Sequence, residues 1–171
     1  MGTKKYRLTE NHINIGNRIL YQIEALKDFG SVKAGDLGGY IESEKNLSQY
    51  DNAWVYGNAQ VYGNAWVYDN ARVSGDARVS GDAWVSGDAE VKSREDYIVF
   101  KNWWSSARYF TWTRSNNMWK VGCFYGTGEE LIKKAYNDSE ISGREYERIV
   151  RYVESILADE KRKENEPIGI K

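Results

Sequence analysis

The sequence predicts a mainly β protein: a short parallel β-helix built of hexapeptide repeats, followed by a small α+β domain. Three observations predict it. Seven alanines stand six residues apart, at Ala53, Ala59, Ala65, Ala71, Ala77, Ala83 and Ala89, and a valine follows each by two places, from Val55 to Val91. Gly-Asn and Gly-Asp pairs, such as Gly57-Asn58 and Gly75-Asp76, punctuate the same period. Beyond residue 92 the period ends, and alternating aromatic stretches give way to two segments of helical periodicity. A fixed short period of this kind marks a solenoid, in which each unit buries its apolar face only by stacking on the next.

The elements follow in order. Residues 1–40 read as a β leader or N-terminal cap, because Ile13 and Ile15, then Ile19, Tyr21 and Ile23, alternate with polar residues on either side of Gly16-Asn17. The array is expected over 41–91, since Ile41 and Leu47 already occupy the alanine register. Within a hexad the Ala and Val side chains, two apart, point the same way along a short strand and form the core. Gly followed by Asn or Asp takes the corner, where both tolerate positive φ. Only about three coils fit, near the lower limit for a stable stack, so caps, a partner or both are needed. Residues 92–161 are expected to form the α+β domain: a hairpin or three strands around Ser115-Asn116-Asn117, then two helices. Thr127-Gly128-Glu129-Glu130 and Ser142-Gly143-Arg144-Glu145 read as capping boxes. Tyr146, Ile149, Val150, Val153, Ile156 and Leu157 form one stripe on the second helix. A frayed tail is expected over 162–171.

Composition narrows the function classes. The chain of 171 residues carries net charge −1, so no global field favours polyanions or membranes. The charge is unevenly spread: residues 41–91 hold three basic and eight acidic side chains, whereas 92–126 hold six basic and two acidic. A single cysteine, Cys123, excludes a disulfide within the chain and fits a reducing compartment. No apolar run approaches ~20 residues, and the first residues lack the apolar core of a secretory signal. A cytoplasmic location is expected.

The hexads VYGNAQ, VYGNAW, VSGDAR and VSGDAW resemble a family of phage and prophage hexapeptide-repeat proteins, often labelled transferases. The lead-in from Gly35 to Glu42 and the stretch from Val121 to Thr127 are similar to that family too. The resemblance implies a left-handed β-helix with three hexads per coil, a phage origin, and action in the cytoplasm of a bacterial host. The left hand comes from the resemblance alone, because the general crossover rule favours the right.

Catalysis is hard to place on these residues. Hexapeptide acyltransferases, whose repeats resemble these, use a histidine base, and hexapeptide carbonic anhydrases use three histidines on zinc. Here there is one histidine, His12, outside the repeats. Cys123 has no histidine near it in sequence and reads as a small buried hydrophobe. Asp76, Asp82 and Asp88 read as corner formers. No catalytic residue, metal site or cofactor is expected.

Binding is the better expectation. If a coil is three hexads, residues eighteen apart lie one above the other. Trp66 then stacks under Trp84 as a flat aromatic surface, Trp54, Arg72 and Glu90 share a second face, and Gln60 and Arg78 share the third. The Trp66–Trp84 ladder could serve a trimer contact, the chain's own C-terminal domain, or a foreign partner. A second candidate surface is Trp103, Trp104, Trp112 and Trp119 among Lys101, Arg108, Arg114 and Lys120, since aromatic faces with interleaved cations hold single strands and nucleotides. With six basic residues there, duplex nucleic acid would bind weakly. The expected function is therefore non-enzymatic binding by a homo-oligomer, a trimer being favoured. The expected partner is a protein effector or a nucleotide signal of a bacterial host defence system, which the protein inhibits or sequesters. Acyl transfer and a virion structural or assembly role are the alternatives.

Overall fold

Strands β1 (Tyr6–Ile15) and β2 (Arg18–Ala25) form an antiparallel hairpin closed by Gly16-Asn17, in a computed structural model that describes residues 3–165. Strand β3 (Leu37–Ile41) pairs antiparallel with β2 on one side and parallel with β5 (Gln60–Val61) on the other. The hairpin is thus hydrogen-bonded directly onto the repeats, in a mixed sheet of order β1-β2-β3-β5-β8, with β8 at Arg78–Val79.

The repeats pair eighteen residues apart, in parallel. Glu90–Val91 (β10) lies beside Arg72–Val73 (β7), which lies beside Trp54–Val55 (β4). Trp66–Val67 (β6) lies beside Trp84–Val85 (β9), and Gln60–Val61 beside Arg78–Val79. Each strand is only two residues long, so three narrow ladders carry the stack. All seven alanines and seven valines of the period are buried, and together they form the first core. The corners take positive φ, as at Gly63 (φ 72). One corner has no glycine: Asp69 stands there at φ 58. Its amide donates to the Asp51 carboxylate one coil below (2.8 Å), and its own carboxylate accepts from the Gly87 amide one coil above (3.1 Å). Those bonds offset the left-handed strain that an aspartate tolerates better than most residues.

The stack is polar along its length. Amides of each coil donate to carbonyls of the next, as Trp54 to Ala71 (3.1 Å), Trp66 to Ala83 (2.9 Å) and Arg72 to Ala89 (2.8 Å). The first coil therefore ends in unpaired carbonyls and the last in unpaired amides, and burying either without a partner is costly. Both ends are capped by the chain itself. At the N-terminal end the Lys5 ammonium donates to the Asp51 and Ala53 carbonyls (3.0 and 2.8 Å). There too the Tyr6 hydroxyl donates to the Leu47 carbonyl (2.8 Å), and the Asn46 amide donates to the Ala65 carbonyl (2.8 Å). At the C-terminal end oxygens accept instead. Thr111 Oγ1 takes the Trp84 amide (3.0 Å), Ser115 Oγ the Glu90 amide (2.8 Å), Tyr97 Oη the Ser80 amide (3.4 Å) and Asp96 the Lys92 amide (2.7 Å). Thr111→Val, which keeps the volume but leaves the Trp84 amide without an acceptor in a buried setting, is expected to cost about 1–3 kcal/mol in urea unfolding. Ser115→Ala, at an exposed position where water can replace the hydroxyl, is expected to cost about 0.5 kcal/mol or less.

The second core belongs to the C-terminal sheet and helices. Strands β11 (Tyr97–Asn102), β12 (Arg108–Thr113), β13 (Met118–Val121) and β14 (Phe124–Gly126) form an antiparallel sheet in sequence order, one strand more than the sequence suggested. Alternation divides its faces. Phe110, Trp112, Trp119 and Val121 are buried against α1 (Gly128–Asp138) and α2 (Glu140–Asn165). Tyr97 and Val99 pack instead on the repeat core. The first capping box is present, with Thr127 and Glu130 bonded reciprocally. The second is not used: Ser142 and Gly143 lie inside α2, which begins at Glu140. Ser139, the single residue between the helices, takes the capping role, its Oγ accepting the Ser142 amide (3.1 Å). Gly143 is there for contact, since a Cβ would stand 2.2 Å from the Tyr136 ring. Of the predicted stripe, Tyr146, Ile149, Val150 and Val153 are buried, and Ile156 and Leu157 are half-buried. Helix α2 runs on through residues 162–165, where fraying was expected; the rest of that tail, 166–171, lies outside the described residues.

Candidate functional site

Three of the expected binding aromatics turn out to be core. Trp54 is buried, edge-on to Tyr6 and Phe29 (ring centres 6.0 and 5.3 Å), because the leader folds over its coil. Trp112 and Trp119 are buried under the C-terminal helices, Trp119 against Phe100 and Phe110, because they alternate onto the helix side of the sheet. Arg114 is a strap: its guanidinium is 2.8 Å from Glu160 on α2 and donates to the Glu95 carbonyl (3.1 Å). Trp103 and Trp104 are exposed on the β11–β12 loop, Trp104 donating to Glu145 of α2 (2.8 Å). Arg72 lines a separate polar hollow with Asn70, Asp88 and Glu90, and Arg78 is exposed on the Gln60 face. Cys123 is exposed in the β13–β14 turn rather than buried. His12 is exposed on β1, its Nδ1 3.0 Å from the Glu10 carbonyl.

Trp66, Trp84 and Arg108 come together. The pairing of β6 with β9 places the two indoles on one ladder, but edge-to-face (5.8 Å, 89°) rather than as the flat surface expected. Tyr68 stacks on Trp66 instead (4.0 Å, 20°). Beside Trp84 opens a cleft of about 440 Å³ between the repeats and the C-terminal sheet. Its repeat wall carries Asp82 and Trp84; its sheet wall carries Lys101, Arg108, Tyr109 and Lys120. The sheet register explains that wall: Lys101 lies opposite Tyr109, and Thr111 opposite Lys120, all on the face turned to the repeats.

The cleft is electropositive. Among the described residues, Lys101, Arg108 and Lys120 have no carboxylate within ion-pair distance, although fourteen such pairs occur elsewhere. Lys101 lies over the Tyr109 ring (4.1 Å) and donates to the Ala107 carbonyl (2.9 Å); Lys120 lies over the Tyr68 ring (5.7 Å). The lining carboxylate, Asp82, is already engaged: it accepts from Asn64 (3.1 Å), and its hydrogen bond to Tyr109 pushes that phenol above its ordinary range. The Tyr68 hydroxyl is buried with no partner among the described residues. Ala107, on the rim, is held at φ 54, a strained conformation for a residue with a Cβ. Rings, unpaired cations and rim strain in one hollow are what an anionic ligand with an apolar face requires. Of these residues Lys101 and Lys120 are legible in sequence among the cations of the aromatic block, whereas Tyr109 and Asp82 were not singled out as binding groups; the alternation of Lys101, Tyr109 and Thr111 against Phe100, Phe110 and Trp112 carries the signal for Tyr109.

Residues 59–73 and 71–87 match the family model described as YdcK Beta solenoid repeat. The match lies within the repeats and identifies them as a β-solenoid; it does not reach the sheet and helices beyond. None of the curated proteins searched matches the chain.

Proposed function

We propose that this is a non-enzymatic binding protein whose cleft captures an anionic partner. The observation that carries the reading is the convergence of Lys101, Arg108 and Lys120, unpaired with any described carboxylate, beside the rings of Trp84 and Tyr109. The solenoid serves as a rigid wall, and we read it as the left-handed coil of three hexads implied by the likeness to phage repeats. That likeness also supplies the setting: the cytoplasm of a bacterial host, where the protein inhibits or sequesters a component of a defence system, either a protein effector or a nucleotide signal. We keep a homo-oligomer, a trimer being favoured, as part of this reading, with the chain's own caps at both ends of the stack adding support from within. Acyl transfer would need a base at the site, and His12 is not among the residues lining the cleft.

The test is capture from lysate of bacteria exposed to phage, on the tagged protein, with bound proteins and heat-released small molecules both identified by mass spectrometry. A partner retained by the parent and lost by a Trp66→Ala, Trp84→Ala double variant of unchanged melting temperature is expected. Equal capture by both proteins would remove the cleft from the function.

A further inference from the structure

Resting on the binding reading, we infer that the cleft holds a free nucleotide, with its base against Trp84 and Tyr109 and its phosphates on Lys101, Arg108 and Lys120. The charge in the cleft has a direction. Asp82 and Trp84 stand on the repeat wall, and the three cations stand on the sheet wall. A carboxylate repels phosphate, so the phosphates belong on the sheet side and the ring on the side of Trp84. Trp84 meets Trp66 edge-to-face, which leaves an indole face uncovered for stacking, and its 38 % exposure agrees with that. Lys101 sits over the Tyr109 ring, so cation and ring are held as one unit that meets phosphate and base together. Asp82, already taking hydrogen bonds from Asn64 and Tyr109, keeps lone pairs that can accept from a base N–H.

Size and surroundings favour a small molecule over a strand. The cleft of about 440 Å³ is within the usual range for small-ligand sites. A polymer leaving it across the repeats would cross residues 41–91, which carry eight acidic side chains and three basic ones. Strand-binding grooves need a continuous basic track with successive stacking platforms, and that acidic wall opposes one.

The experiment is calorimetry at low salt with the four common ribonucleoside diphosphates, with adenosine (ring without charge), with inorganic pyrophosphate (charge without ring), and with an eight-nucleotide single strand. At least one diphosphate is expected to bind at 1:1, with adenosine and pyrophosphate each at least about tenfold weaker than the best nucleotide. Lys120→Glu and Trp84→Ala, checked for an unchanged melting temperature, are each expected to weaken it about tenfold or more, and Arg78→Glu on the neighbouring face to leave it unchanged. Pyrophosphate binding as tightly as the nucleotide, with Trp84→Ala silent, would reduce the cleft to an anion site and overturn the inference. Tighter binding of the single strand would overturn it in favour of a strand. If no nucleotide binds while lysate capture still depends on Trp66 and Trp84, the inference fails and the binding reading stands; if capture is independent of them as well, both fail.

Discussion

Val67→Asp unfolds the solenoid. Val67 pairs with Val85 above it and bridges to Leu47 below, so its side chain is the middle of a stack that runs through every coil. All three are buried in a hydrophobic cluster dominated by the alanines and valines of the period, where a carboxylate would lose its water. An ionised aspartate there carries a desolvation cost of several kcal/mol after any relaxation, comparable with the whole stability of a small domain. Protonation would relieve part of it, at the cost of holding the group neutral far above its ordinary pKa. The expected result at pH 7 is loss of the β signal in circular dichroism and of the compact elution volume. Val67→Ala, which only thins the stack, is expected to cost about 1.5–3 kcal/mol and keep the fold. If the aspartate variant melts within a few degrees of the parent, the side chain does not point into the core and the register of the coils is wrong.

From Ala53 on, the repeat register was legible because each coil places the same demand on the same position. Ile41 and Leu47, read in the alanine register, instead stand opposite Val61 and Val67, twenty residues on, because the step from Leu47 to Val55 is two residues longer than a hexad. A small residue and a branched one, two apart, must recur at every strand, and the eighteen-residue pairing follows from three such strands to a coil. The caps were not legible. Lys5 acts on carbonyls more than forty residues away, and Tyr97, Thr111 and Ser115 act on amides of the last coil. Nothing local distinguishes a capping threonine from any strand threonine. Trp54 occupies the same outward position in its hexad as Trp66 and Trp84, and so reads as an outward ring on the neighbouring face. Only the folding of the leader over its coil, with Tyr6 and Phe29 on the ring, separates it from the exposed pair. Of the cleft, Trp84 on the repeats and Lys101, Arg108 and Lys120 on the aromatic block were legible as parts of two separate surfaces. What was not legible is that those cations face Trp84 across one cleft, because which side of the sheet meets the solenoid is set by packing between distant segments.

The Lys5 cap makes stability rise with pH where most proteins level off. Lys5 is fully buried, and that burial, opposed by Asp51 at 3.6 Å, brings its pKa down from 10.5 to about 8, with Lys27 adding a smaller push the same way. In the unfolded chain the ammonium returns to its ordinary value. Between pH 8 and 10.5 the unfolded chain therefore holds a proton that the folded one has released, so unfolding takes up a proton and higher pH favours the fold. The neutral amine keeps two N–H groups, enough for the Asp51 and Ala53 carbonyls it caps. Tyr6 beside it works in the opposite sense. Burial, then the nearby Glu44, raises its phenol above 10, so its contribution is lost as the unfolded chain ionises above that pH. The phenols of Tyr109, Tyr125 and Tyr136 are also raised and add to the fall. The expected profile climbs from pH 8, peaks near pH 10 and declines beyond. Lys5→Met isolates the climb, since the tyrosines are common to both proteins. The variant loses both carbonyl caps at any pH, and its deficit against the parent is expected to widen by about 2 kcal/mol between pH 7 and 9.5, from ~1.36 kcal/mol per pKa unit. Urea unfolding at the two pH values measures that difference. A deficit that stays constant would mean that Lys5 remains ionised in the fold, and that the end of the stack is wet rather than sealed.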